Sequence, residues 1–226
     1  IRRGEYAELT DEPLFREVDE EVRQEQYKKI WSQYGNIFIA LCLLIVLGVA
    51  GYKGWQYWQK TQSEAASVVF FQAVANGNAG KSEEALKEFE SIGHTGYAQL
   101  AKLREAGVLA ASGKTDEAIK LYDTIAASAG TAAPLRDLAR LRAAYVSIDS
   151  ASFADISTRV KDFDVAGNPW RHMAREILML SAFKAGDHAG ADSQAQAILG
   201  DPEAPAPLRQ RAGMIADLLL PILGQK

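Results

Sequence analysis

Cysteine, histidine and basic residues are all scarce in this sequence, and each shortage removes a class of function. The one cysteine, Cys42, has no partner for an internal disulfide. Three histidines, at positions 94, 172 and 188, are too scattered to supply a soft metal-ligand set, which argues against structural zinc. Lys and Arg number 25 against 29 Asp and Glu, a net charge of −4 with no basic face to neutralise phosphates, so nucleic acid is not an expected partner. No run alternates apolar and polar residues as a half-buried strand would. Disorder throughout is excluded by an apolar content of 48%, which over 226 residues fits one or two folded domains. Ile1 stands where Met would open a chain, which leads us to expect a few residues before this numbering.

What is present is unevenly spread. Ile30 to Tyr52 form 23 consecutive uncharged residues, and the stretch Ile37 to Val49 within them holds ten Leu, Ile, Val or Phe. A helix of that length spans about 30 Å of hydrocarbon. At roughly 0.3 to 0.6 kcal/mol each, those ten side chains favour insertion by roughly 3 to 6 kcal/mol, enough to offset Asn36 and the glycines. Trp31 and Tyr34 lie at one end and Trp55 and Trp58 at the other, where amphipathic rings settle at the two membrane-water interfaces. A cleavable leader does not fit, because about 30 mostly charged residues precede the run. A core helix does not fit either, since Phe38 to Val49 carries no polar stripe. Residues 30–58 are therefore expected to be a single transmembrane helix with aromatic belts, in contact with membrane lipid and with Cys42 inside it.

Arg16, Arg23, Lys28 and Lys29 precede this span, whereas Lys53 and Lys60 follow it. Basic residues near a span stay on the cytoplasmic side. The expected topology has a cytoplasmic N-terminus and places residues 61–226 across the membrane, in the periplasm of a Gram-negative cell. Residues 1–29 carry nine acids and six bases. Residues 1–13 read as a mobile tail, and Phe15, Val18 and Val22 show helical spacing, so residues 1–29 are expected to be an acidic cytoplasmic tail and stalk.

Residues 61–226 contain repeats. Gly80 to Ile92 (GKSEEALKEFESI) and Gly113 to Ile125 (GKTDEAIKLYDTI) share six identities and six conservative matches in thirteen positions. Gly186 to Ile198 (GDHAGADSQAQAI) keeps the glycine, the alanine five residues on and the closing isoleucine. With Ala154 as the phase of a degraded copy, the key alanines fall at Ala85, Ala118, Ala154 and Ala191, spaced 33, 36 and 37. That period belongs to a helix-turn-helix solenoid.

Ala106, Leu109, Gly113, Ala118 and Tyr122 follow in order the pattern of the tetratricopeptide repeat, which this segment resembles, and Gly80, Ala85 and Phe89 match its second half. Small residues let paired helices approach, and the aromatic fills the space between hairpins. Ala191 carries the small position of the later copy, where Thr158 and Ala195 take the aromatic's place and Lys102 stands where the family favours Trp. The expected fold is all-α: one transmembrane helix, then a tetratricopeptide-like solenoid. Its helices are expected near 63–76, 82–92, 95–112, 115–128, 133–148, 152–163, 169–185, 188–199 and 206–223. Leu208, Ala212, Ile215, Leu219 and Ile222 give the last of these an apolar face suited to capping the array.

No set of residues points to catalysis. ANGNAGKS, at Ala75 to Ser82, approaches a phosphate-binding loop but lacks its first glycine, and its GK[ST] recurs at Gly113 to Thr115 as part of the repeat. His94 lies in a Gly-His-Thr-Gly turn, and neither HExxH nor GxSxG occurs. No cofactor, metal or small-molecule substrate is expected.

The stretch from Glu20 to Gln59, with WxxYG before the span and WQYWQ after it, followed by a short tetratricopeptide-like domain, resembles the YfgM-type ancillary subunits of the SecYEG translocon. This resemblance implies a non-catalytic adaptor of the bacterial inner membrane that works beside SecYEG and periplasmic chaperones. The alternative is a structural or assembly subunit of another inner-membrane complex, respiratory or photosynthetic.

Overall fold

The architecture follows from where the chain can and cannot continue a helix. The computed structural model describes residues 12–93 and 96–224. Most of the expected N-terminal tail and the turn at His94 lie outside the described residues. Among those described, every regular element is helical: α1 (Glu12–Asn78), α2 (Ser82–Ser91), α3 (Tyr97–Ala111), α4 (Thr115–Ala127), α5 (Ala133–Val146), a 3₁₀ turn (Ser147–Asp149), α6 (Phe153–Val160), α7 (Arg171–Lys184), α8 (His188–Leu199) and α9 (Ala206–Leu223). The chain divides into two compact units, the first ending at Thr61 and the second beginning at Gln62.

The first unit is formed by α1 up to Thr61. Its large apolar side chains are exposed all round the helix, Ile37, Leu41, Leu44 and Leu47 each by more than half. Gly48, Gly51 and Gly54 have no neighbour within 4 Å where a side chain would start. Trp31 sits beside Phe38, with ring centroids 6.4 Å apart, and Trp55 beside Trp58, at 5.7 Å. This helix is long and apolar enough to cross a membrane. A separate helix starting at residue 63 was expected. Instead α1 runs on through residues 62–78, because no Gly or Pro interrupts Trp55 to Asn76.

In the second unit, the end of α1 pairs with α2, α3 with α4, α5 with α6 and α7 with α8, and α9 closes the series. Three of the four hairpins share one turn. Gly80, Gly113 and Gly186 have φ of +78°, +83° and +77°, a region that side chains with a Cβ disfavour. The residue after each glycine donates its N–H back to the carbonyl five residues earlier: Lys81 to Asn76 at 2.9 Å, Lys114 to Leu109 at 2.9 Å and Asp187 to Ala182 at 3.0 Å. This is the Schellman ending of a helix, repeated three times. Pro134 and Pro207 occupy the first turns of α5 and α9, where their missing N–H costs nothing.

The third hairpin departs from this plan and corrects the expected repeat phase. No glycine follows α5. The chain instead makes the 3₁₀ turn, and Ser152 caps α6 by accepting the N–H of Asp155 at 3.2 Å. The longer turn moves the phase by two residues. Ala154 is exposed, and the buried fourth residue of α6 is Ile156, matching Ala85, Ala118 and Ala191 as fourth residues of α2, α4 and α8. The structural spacings are therefore 33, 38 and 35. Likewise Val160, not Thr158, occupies the place of Phe89 and Tyr122, with Ala195 as expected.

The core runs along the array as linked clusters: Phe70, Ala73, Ala85 and Phe89 in the first hairpin, Ala106, Tyr122, Ile125 and Ala139 around the second, Leu141, Ile156, Val160 and Ile177 around the third, and Met179, Ala195, Ile198 and Ala212 toward α9. Each hairpin buries its apolar face only by stacking on the next.

Candidate binding groove

The first helices of successive hairpins line a groove. Its walls are Phe70 and Val74 from α1, Leu100 and Leu103 from α3, and Leu135 and Leu138 from α5, around a cavity of about 560 Å³. On α5 the lining positions 135, 138 and 142 advance by three and four, the step of one helix face. Small residues allow the close approach behind it. A Cβ on Gly77 would come within 3.1 Å of the Val108 side chain, so the bare backbone at the last turn of α1 makes room for Val108 of α3.

Asn78 and Ser82 line one end of this cleft, and its charged groups come from α3 and α5. Tyr122 of α4 is buried, and its hydroxyl reaches beneath Gly107, 3.5 Å from where a Cβ there would stand. Arg104 of α3 and Arg142 of α5, both exposed, line the same groove. Burial raises the pKa of Tyr122, while the charges of Arg142 and Arg104 act in the opposite sense. Burial prevails, and the phenol stays a hydrogen-bond donor. Glu105 does not neutralise the arginines. Burial and the nearby Glu90 push its carboxyl up, and the cation that acts on it is Lys102.

A second polar cluster ties down loops. Arg171 bonds Asp201 at 3.0 Å and also reaches Glu203, and Arg175 bonds Asp164 at 2.9 Å, so α7 holds the chain before it and the chain between α8 and α9. The hydrogen bond from Arg171 holds Asp201 below the usual carboxylate range. His172, buried beside them, has its Nδ1 3.8 Å from Asp201 and no hydrogen bond on either nitrogen. Burial, followed by the charge of Arg171, lowers its pKa, so its ring is neutral at neutral pH. One turn beyond His172 on α7, the buried Glu176 pairs with Arg211 of α9.

The residues singled out from sequence fall into two sets. Ala85, Phe89, Ala106, Leu109, Ala118, Tyr122 and Ala191 are all buried, with Ala85 and Phe89 in one cluster and Ala106 and Tyr122 in another, while Gly113 makes an exposed turn. Trp31, Tyr34, Trp55 and Trp58 are all exposed along α1. In the segment resembling a phosphate-binding loop, Gly80 makes a hairpin turn between two helices and Lys81 pairs with Glu84 at 3.5 Å. Among the described residues no group of three His, Cys, Asp or Glu is placed to hold a metal. Sequence reading missed Arg104, Arg142 and the leucines beside them. Their only signal was the helical spacing of Leu135, Leu138 and Arg142, which also suits an ordinary half-buried helix.

An array of helical hairpins with an apolar groove along its first helices is the architecture of a protein-binding repeat domain. Residues 28–162 match the family described as tetratricopeptide repeat-like domain, and the chain belongs to that family. The match takes in the apolar part of α1 and the first three hairpins, ending just past α6. Comparison with curated proteins and with solved structures finds no match.

Proposed function

We propose that this protein is a membrane-anchored, non-catalytic adaptor that works as an accessory subunit of the Sec translocon and the periplasmic chaperone network. The observation that carries the reading is the presence, in one chain, of a helix apolar on every side and a repeat domain with an open groove. Residues 30–58 anchor the chain in the bacterial inner membrane, residues 1–29 stay in the cytoplasm and residues 61–226 work in the periplasm. The anchor confines the repeats near the bilayer, which raises their effective concentration beside a membrane partner without any new contact. The choice of SecYEG rests on the aromatic motifs flanking the span.

Photo-crosslinking from groove positions of the full-length protein in intact cells, read by mass spectrometry, tests this assignment. Crosslinks concentrated on SecYEG and periplasmic chaperones are expected. A stable stoichiometric association with a different inner-membrane complex, and none with SecYEG, would replace this reading with that of an assembly subunit.

A further inference from the structure

We infer that the outer face of α9 is a self-association surface on which a second copy of this chain docks, the two α9 helices lying antiparallel about a two-fold axis at Leu218. This goes beyond the adaptor reading and does not depend on which complex the adaptor serves. On the inner face of α9, Ala212 and Ala216 pack with Met179 of α7 and Ala195 and Ile198 of α8, and Leu219 packs with Ala182 and Ala191. The opposite face stays open among the described residues. There Met214 is 53% exposed, Leu218 58% and Ile222 45%, and Pro221 is exposed with them. Steps of four, three and one keep these four on a single stripe, with Arg211 and Asp217 at its flanks and no charge within it. A helix at the edge of a repeat array ordinarily turns a polar face outward. Here roughly 350 Å² of contiguous apolar surface faces water, enough to mark an interaction site.

The spacing of the stripe selects its occupant. Met214 and Ile222 lie four residues on either side of Leu218, so an antiparallel copy sets Leu218 on Leu218 and Met214 on Ile222, twice over. The same register brings Arg211 opposite the last turn of the other copy's α9, whose open carbonyls attract a cation. A lipid surface suits the face less, because interfacial helices ring their apolar side with lysine and arginine. α9 has only Arg209, which donates to the carbonyl of Ala204 at 2.7 Å, and Arg211, which pairs with Glu176. Two such patches bury roughly 700 Å² of apolar surface, and with the flanking Gln210, Arg211 and Asp217 the contact reaches the lower end of specific interfaces, about 1,200 Å². Copies anchored in one bilayer meet at a raised effective concentration, which makes a contact of that size sufficient.

Disulfide trapping in the full-length chain in native membranes, with Cys42→Ala removing the natural thiol, tests the register. Mild oxidation of Leu218→Cys is expected to give a linked dimer. Met214→Cys alone should stay monomeric, because its two copies stand ~12 Å apart along the paired helices, beyond the reach of a disulfide. Met214→Cys and Ile222→Cys on separate co-expressed chains should link. In detergent, Leu218→Asp is expected to raise the dimer's dissociation constant roughly tenfold or more by analytical ultracentrifugation, since two carboxylates then face each other in an apolar contact. Leu218 is exposed in the single chain, so this variant keeps its fold, which its helical circular dichroism spectrum verifies. A chain that stays monomeric in both assays, or Met214→Cys linking to itself in preference to Leu218→Cys, would overturn the inference. So would linkage of Leu218→Cys to Phe71→Cys of a second chain, which would mean head-to-tail stacking on the exposed Val68 and Phe71 of α1, or linkage of Leu218→Cys to a different protein.

Discussion

Replacing Ile156 by Ala tests the corrected repeat phase. Ile156 is fully buried among Leu141, Val160, Phe163 and Ile177, so the neighbours cannot all follow the shortened side chain. Removing three carbons at about 0.8 kcal/mol each forfeits roughly 2.4 kcal/mol of burial, and the residual cavity brings the total to about 3 to 4 kcal/mol. For a unit of this size each kcal/mol moves the melting midpoint by about 2 to 4 °C, which gives a fall of roughly 6 to 16 °C. The matched control is Ala154→Trp, two residues away on the exposed side of the same helix, where an effect within about 0.5 kcal/mol is expected. Thermal melting of the full-length protein in detergent, followed by circular dichroism at the helical minimum, measures both. Hydrogen exchange should show the α5–α6 amides losing protection first, because stability in such arrays is shared mainly between neighbours. If Ala154→Trp destabilises more than Ile156→Ala, or Ile156→Ala moves the midpoint by less than about 3 °C, the phase assigned to this hairpin is wrong.

Ala118→Trp overfills a site that is fully buried and is expected to lower stability by about 1 to 3 kcal/mol, read as a drop in the same melting midpoint. Gly113→Ala places a Cβ at φ +83° and should cost about 1 kcal/mol, whereas the same change at Gly213, which has open space and no positive φ, should be neutral or stabilising. His172 gives a pH dependence of known sign. Its pKa in the folded state lies below the ordinary 6.5, so below about pH 6.5 the unfolded chain binds a proton that the folded chain refuses, and stability falls as the pH drops through that window. His172→Leu should flatten this slope in denaturant titrations between pH 7 and 5, and an unchanged slope would assign the dependence to another group. For topology, protease added to spheroplasts should digest residues 61–226 and spare the N-terminal segment; protection of the repeat domain would reverse the proposed orientation.

Helix boundaries were legible wherever glycine or proline marks a turn. Gly80, Gly113 and Gly186 locate three hairpins, and Pro134 and Pro207 locate the starts of α5 and α9. The third hairpin was misread because its turn is made by a serine cap and a 3₁₀ segment, and a count of alanines therefore pointed to Ala154 instead of Ile156. The continuity of α1 past Thr61 was visible in the absence of any breaker, yet the change from apolar span to amphipathic repeat helix disguised it. The groove was the least legible part. It brings together Phe70, Leu103 and Leu138, far apart in the chain, and sets Arg104 of α3 and Arg142 of α5 along the same cleft, a meeting that the helical spacing of either segment alone does not show.

The nearly identical helices α2 and α4 differ in kind at one position of the repeat, Glu88 against Leu121. Asn76 of α1, almost wholly buried, donates its amide to both carboxylate oxygens of Glu88 at 3.1 and 2.9 Å, and the residue 33 positions after Asn76 is the buried Leu109. The two hairpins therefore carry different keys. Were α2 to dock in the place of α4, Glu88 would stand where Leu121 packs beside the cluster of Ala106 and Ala139, with no amide to receive it, and α4 in the place of α2 would leave the Asn76 amide unanswered. Each mismatch strands a buried polar group at a cost of about 1 to 3 kcal/mol. One polar pair in an otherwise interchangeable couple of units thus acts as a proofreading mark during folding, sorting each second helix to its own first helix and discouraging exchange of hairpins between neighbouring copies of the chain.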